Sequence, residues 1–124
     1  MLLDSFAWME YFMGTRKGEK VKRSIDDDIQ LYTSPIVIAE IYSKSLRTDD
    51  NAQERTDFIM KRCAIVVLDE KIAIEAAKIH AENKIKTSDF GLPDAIILAS
   101  ARSRNMKVVT GDPHFKNFKD AVML

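Results

Sequence analysis

Four acidic residues occupy positions where chemistry can be built. Asp4 ends the apolar run Met1 to Leu3, and Glu40 lies in an apolar segment opened by Ser34-Pro35. Asp94 heads the run Leu92-Pro93-Asp94-Ala95-Ile96-Ile97-Leu98-Ala99-Ser100-Ala101, and Asp112 belongs to Thr110-Gly111-Asp112. Carboxylates brought together at a half-buried site repel, and raise one another's pKa values unless a cation neutralises them. Oxygen-only donors with open positions suit Mg²⁺ or Mn²⁺, which keep several waters and bind through a few carboxylates plus substrate phosphates. Other chemistries find little support. Cys63 stands alone in an apolar run and reads as a buried small hydrophobe. His80 and His114 are far apart in sequence, one reading as a helix-face residue and the other as a turn residue. No Cys or His pair is spaced for zinc, and neither a Gly-rich phosphate loop nor a nucleophile elbow is present. Asp94 taken alone is an ordinary helix-start acid, so its chemistry depends on partners supplied by the rest of the chain.

The 124 residues are enough for one domain with a real core, needing neither disulfides nor a structural metal. Lys plus Arg and Asp plus Glu balance at 19 each, so no global basic field announces nucleic acid and any such partner must be held locally. No window approaches the apolar length of a membrane span, and Met1 runs into an acid at Asp4 rather than into a signal peptide. The expectation is a reducing cytoplasm without membrane attachment.

The elements that must position the acids alternate between strand and helix. Met1 to Leu3 reads as a strand, and Ser5 as the N-cap of a helix carrying Phe6, Met9 and Met13, with Trp8 and Phe12 paired and Gly14 ending it. A polar helix from about Gly18 to Asp28 has Val21 and Ile25 as its narrow stripe. Gln30 to Thr33 is a second strand, and Ser34-Pro35 opens a helix through Glu40 to about Ser45. Asp49 or Asp50 is expected to cap another helix, with Phe58 and Ile59 inward. Ala64 to Leu68 is a third strand, and Asp69 caps a helix from Glu70 to Asn83. A polar loop from Lys84 to Gly91 leads to the apolar helix, in which Pro93 suits the first helical position. Lys107 to Thr110 is a fourth strand, Gly111 to Phe118 a turn with a short helix, and Ala121 to Leu124 a fifth strand.

This alternation points to a three-layer α/β/α fold with a mainly parallel five-stranded sheet. In open parallel sheets, sites form beyond the carboxyl ends of the strands, where strand order reverses. For the order 3-2-1-4-5 that place lies between strand 1, ended by Asp4, and strand 4, ended by Thr110-Gly111-Asp112. Asp94 starts the helix feeding strand 4, and so belongs to the same end. Glu40, more than a turn inside its helix, can lean over the site.

Leu3-Asp4-Ser5, Pro35 to Glu40, Asp94-Ala95-Ile96-Ile97-Leu98-Ala99 and Thr110-Gly111-Asp112-Pro113-His114-Phe115 together resemble the motifs of PIN domains. The order and spacing agree along the whole chain, which is most similar to the small single-domain ribonucleases typified by the VapC toxins. That resemblance implies a metal-dependent endoribonuclease with Asp4, Glu40, Asp94 and Asp112 as its acidic quartet. Asp4, Asp94 and Asp112 would bind Mg²⁺ or Mn²⁺, with Glu40 a ligand or a holder of metal-bound water. Many relatives carry a further acid where this chain has His114, a departure that touches a fifth ligand and not the quartet.

Under the same resemblance, Ser5 and Thr110 have hydroxyls beside the acids and would orient them, although an N-cap and a strand end also explain both. RNA, single-stranded or looped, would be held by Arg16, Lys17, Lys44, Arg47, Lys84 and Lys86, each also readable as part of a solvated face. An antitoxin would wrap a helical groove and set a basic side chain against the acids. A homodimer is expected from the apolar surplus of Phe6, Trp8, Tyr11 and Phe12 and of Ile38, Ile41 and Tyr42. The competing readings are a non-toxin RNA-processing nuclease of the same family, a catalytically silent binding domain, and a phospho-accepting receiver. The last expects paired acids at strand 1 and a Lys after strand 5, and the sequence has neither.

Overall fold

The computed structural model describes residues 1–84 and 89–124. Its strands are β1 (Leu2–Leu3), β2 (Leu31–Thr33), β3 (Cys63–Ile65), β4 (Val108–Thr110) and β5 (Ala121–Met123). They form one sheet in the order β3-β2-β1-β4-β5, every neighbouring pair parallel. Strands this short persist because helices cover the sheet. Leu2, Leu3, Leu31 and Val108 are fully buried, as a parallel sheet requires. The layered α/β/α arrangement and the strand order agree with the sequence reading.

Helix α1 (Ser5–Met13) leaves the end of β1 and packs on α2 (Arg16–Asp26), α3 (Pro35–Arg47) and β4. Its N-cap is Asp4, whose carboxylate accepts from the Ala7 amide at 2.8 Å; Ser5 is the first helical residue, not the cap. Either side chain can cap, and burial selects the carboxylate because it already stands at the strand end. Gly14 ends α1 in the left-handed region at φ 67°, as expected. Thr15 caps α2, which starts two residues before the expected Gly18 and so carries Gly18 into the helix. Gly18 lies so close to α1 that a Cβ there would come within 2.2 Å of the Glu10 carbonyl oxygen.

Ser34 caps α3 as expected, and the helix runs two residues beyond Ser45. Helix α4 (Ala52–Arg62) is preceded by Asn51, not capped by Asp49 or Asp50. The reason is competition: the Asp50 carboxylate accepts from the Thr48 hydroxyl at 2.8 Å and pairs with Arg55, while Asp49 turns the chain at φ 53°. Ile59 faces the core, whereas Phe58 is 39% exposed and joins Trp8, Tyr11 and Phe12 in one aromatic cluster. With Trp8 and Ile41 fully buried and Tyr11 and Phe12 packed there, the molecule absorbs much of the apolar surplus on which the dimer expectation rested.

Strand β3 also departs from the expected Ala64 to Leu68. Val66 still donates to Thr33 at 2.8 Å, but β2 stops there because Ser34-Pro35 begins a helix. Val67 and Leu68 thus have no strand to pair with, and Val67 is 68% exposed. Asp69 caps α5 (Glu70–Lys84), its carboxylate accepting from the Ile72 amide at 2.8 Å. Helix α6 (Leu92–Arg102) packs along α5 and begins one residue before Pro93, with Gly91 at the cap position. Ile97 to Ala101 are buried on every side, which accounts for their apolarity apart from Ser100, whose hydroxyl donates to the Ile96 carbonyl at 2.7 Å, while Leu92 at the first turn is exposed. No helix among the described residues is long and apolar enough to cross a membrane.

Candidate active site

The register Leu3↔Val109 brings Asp4 level with Thr110 on the neighbouring strand, and the Asp4 amide donates to the Val109 carbonyl at 3.2 Å. Asp4 and the Thr110-Gly111-Asp112 corner therefore leave the sheet side by side, at the point where strand order reverses. Asp94 reaches the same place from the first turn of α6, and Glu40 from α3. All four acids line one cleft of about 490 Å³, together with Phe6, Met9 and Met13 from α1 and Lys44 and Arg47 from α3. Gly111 lets the Phe6 ring close over the corner; a Cβ there would come within 2.2 Å of Phe6 Cε1.

Burial sets the charge state of these groups. Asp4 is only 3% exposed, and desolvation pushes its carboxyl up to about 7 from 3.8. The Thr110 hydroxyl beside it and the Ala7 amide that hydrogen-bonds to it oppose the rise, while Asp112 and Asp94 add to it. Glu40 is raised chiefly by burial and also by Asp94 and Asp112, against a hydrogen bond donated by the Ser5 hydroxyl at 3.2 Å. Asp94 is raised by burial and by Asp112, against the Gly91 amide that donates to its Oδ2 at 3.3 Å and the nearby His114. Burial is the larger cause in all three, and repulsion among the acids adds to it.

The expected hydroxyls each lie by an acid: Ser5 donates to Glu40, and Thr110 stands beside Asp4 while accepting from the Asp112 amide at 2.9 Å. Among the expected cations, Lys44 and Arg47 line the cleft, and Lys17 lies over the ring of Phe6 with its Nζ 5.4 Å from the centroid. Arg16 and Lys84 are exposed and do not line it, and Lys86 lies outside the described residues. The structure adds the apolar wall of Phe6, Met9 and Met13 and the His114 ring, whose Nδ1 is 2.7 Å from Asp112 Oδ1. Helical spacing places Phe6, Met9 and Met13 along one helix face but cannot tell a cleft wall from core. Nothing local to Pro113-His114 marks the ring contact.

Among the described residues no three acidic, Cys or His side chains converge closely enough to form a coordination sphere by themselves. The expected trio of Asp4, Asp94 and Asp112 lines the cleft without closing on one point. The donor set nevertheless fits a divalent ion of the Mg²⁺ type. Such ions bind through one or two carboxylates and retain water, and three of these four acids are held above their ordinary range until positive charge arrives.

A parallel sheet of this order, with a carboxylate-lined cleft over its reversal point, defines an α/β protein whose candidate site lies between β1 and β4. The PIN domain family model matches residues 1–121, and the chain belongs to that family. Solved structures of the same fold include a toxin-antitoxin complex from Klebsiella pneumoniae, at 23% identity and a TM-score of 0.80, covering 98% of this chain and 95% of that one. VapBC2 from Rickettsia felis, bound to a DNA fragment from the promoter, aligns at 17% identity and a TM-score of 0.76 over 99% of this chain and 96% of that one. VapC20 from Mycobacterium tuberculosis, a sarcin-ricin loop cleaving toxin, aligns at 16% identity and a TM-score of 0.75 over 93% and 92%. No curated protein matches the sequence. Membership in the PIN family leaves no place for the receiver reading.

Proposed function

We propose that this protein, acting as one domain over residues 1–124, is a divalent-metal-dependent endoribonuclease and the toxin of a toxin-antitoxin pair. The observation that carries the reading is the single cleft lined by Asp4, Glu40, Asp94 and Asp112 with Lys44 and Arg47 beside them. Family membership and the toxins among the similar folds support it.

Asp4, Asp94 and Asp112 would hold Mg²⁺ or Mn²⁺, which when bound supplies Lewis acidity at the scissile phosphate and lowers the pKa of a bound water. Thr110 orients Asp4 through its hydroxyl, and Ser5 fixes Glu40. Glu40, raised by burial, is suited to hold the attacking water and take up its proton. Lys44 and Arg47 bind phosphates flanking the cut, and the wall of Phe6, Met9 and Met13 gives bases and ribose an apolar surface. Single-stranded or looped RNA is the substrate class, because its unpaired nucleotides can enter a cleft closed to a duplex. The antitoxin would inhibit by bringing a basic side chain to the acids. The reading also carries a homodimer and residence in the cytoplasm. A non-toxin RNA-processing role shares this chemistry and differs in its partner.

The test is cleavage of an RNA oligonucleotide by the purified protein with Mn²⁺, with Mg²⁺ and with chelator, the Asp4→Asn variant run beside the parent. Cleavage should require the divalent ion and collapse in the variant. Full activity in excess chelator overturns the mechanism.

A further inference from the structure

The residues after β4 hold a closer polar contact than a turn needs. Asp112 caps the short 3-10 helix Pro113–Phe115, its Oδ1 accepting from the His114 amide at 2.9 Å. A cap of this kind is complete with that one bond. Yet the same oxygen also lies 2.7 Å from Nδ1 of the His114 ring. Two nitrogens of one residue thus converge on one carboxylate oxygen, the second on a side chain that the cap does not require. The His114 backbone is anchored by Pro113 on one side and by Phe115, fully buried, on the other.

His114 presents Nδ1, not Nε2, to this carboxylate. Nε2 is 4.0 Å from the exposed Asp89 carboxylate, beyond hydrogen-bond length, so the ring is oriented by its contact with Asp112. On Asp112 the consequence is asymmetry. Oδ1 accepts the backbone bond and lies against the ring nitrogen, Oδ2 has no hydrogen bond among the described residues, and the side chain lines the cleft. A carboxylate held in this way cannot rotate about its last torsion without breaking the cap bond and opening the 2.7 Å ring contact.

We infer that His114 is a positioning residue that locks Asp112 through Oδ1 and leaves Oδ2 free to meet the divalent ion. The inference rests on the nuclease reading above and deepens it. Outer partners that orient a ligand in this manner are worth about 10 to 100-fold in metal affinity or activity.

The test compares the parent with His114→Ala and His114→Asn, whose amide nitrogen can take the place of Nδ1. Mn²⁺ affinity is measured by titration without RNA, alongside kcat, KM for an RNA oligonucleotide, and the metal-free melting temperature. His114→Ala should weaken Mn²⁺ binding by about tenfold or more and lower kcat, with KM and the metal-free melting temperature little changed. His114→Asn should recover most of both losses. If His114→Ala binds Mn²⁺ as the parent does, or if His114→Asn is no better than His114→Ala, the inference is wrong while the nuclease reading stands. A parent that binds no Mn²⁺ fails at the earlier step, and the metal reading falls together with this one.

Discussion

The Ser5 hydroxyl donates to Glu40 Oε1 across 3.2 Å, joining the first residue of α1 to the middle of α3 over 35 positions of sequence. The bond stabilises the charged form of a carboxylate that burial otherwise drives toward protonation. Ser5→Ala should therefore raise the Glu40 pKa further and shift the acid limb of the pH–activity profile upward. The accompanying loss in activity should be about tenfold, with Ser5→Thr largely restoring the profile. An unshifted acid limb in Ser5→Ala would show that Glu40 takes no part in the rate-limiting protonation state.

Asp4 predicts a stability that runs opposite to ordinary acid denaturation. Its folded carboxyl titrates at about 7 against 3.8 for the free group, so between those values the native state binds the extra proton. Its contribution is fully present below the unfolded value and is lost as pH rises through the folded one, with a slope of at most about 1.4 kcal/mol per pH unit for one proton. Glu40 and Asp94, also raised, act in the same sense. In chelator, Asp4→Asn should gain melting temperature relative to the parent as pH increases from about 4 to about 7. A constant difference between the two melts across that window would contradict the assignment.

Asp94 separates a structural acid from a site acid. As a helix-start residue alone it would contribute about 0.3 to 1 kcal/mol through the helix dipole, and Asp94→Asn would melt lower. Its carboxyl is instead raised by burial and by Asp112, and an Asn oxygen can still accept from the Gly91 amide. The metal-free Asp94→Asn variant should thus melt higher than the parent, by roughly 2 to 6 °C for about 1 kcal/mol relieved. Millimolar Mn²⁺ should stabilise the parent by mass action and the variant far less. Lower melting in chelator, with equal responses to Mn²⁺, would return Asp94 to the role of a cap.

Gly18 tests the packing that aims α1. A Cβ there would meet the Glu10 carbonyl oxygen at 2.2 Å and its carbon at 2.7 Å, both backbone atoms that cannot swing aside. Although alanine favours a helix more than glycine does, Gly18→Ala should destabilise by about 1 to 3 kcal/mol through forced separation of α1 and α2. Denaturant unfolding measures it. A stabilised Gly18→Ala would mean that the two helices separate freely.

Local sequence signals were enough to place the strands in a parallel α/β chain, to mark Gly14, Ser34 and Asp69 as helix boundaries, and to put Asp4, Asp94 and Asp112 at the carboxyl end of the sheet, with Glu40 only able to reach it. These features are written in patterns a few residues long, such as apolar periodicity, Pro and Gly positions and capping side chains, so they survive without knowledge of distant neighbours. The tertiary structure decided everything that required choosing among equivalent local partners. Asp4 rather than Ser5 became the cap, Asp49 and Asp50 were drawn away from α4, and β3 ended at Ile65 because β2 had no further backbone to offer. It also selected Lys44 and Arg47 for the cleft, turned Phe58 into an aromatic cluster, and laid the His114 ring on Asp112. A hydrogen bond or a desolvated charge depends on distances of a few ångströms between residues that sequence separates by tens of positions, and those distances exist only once the chain has folded.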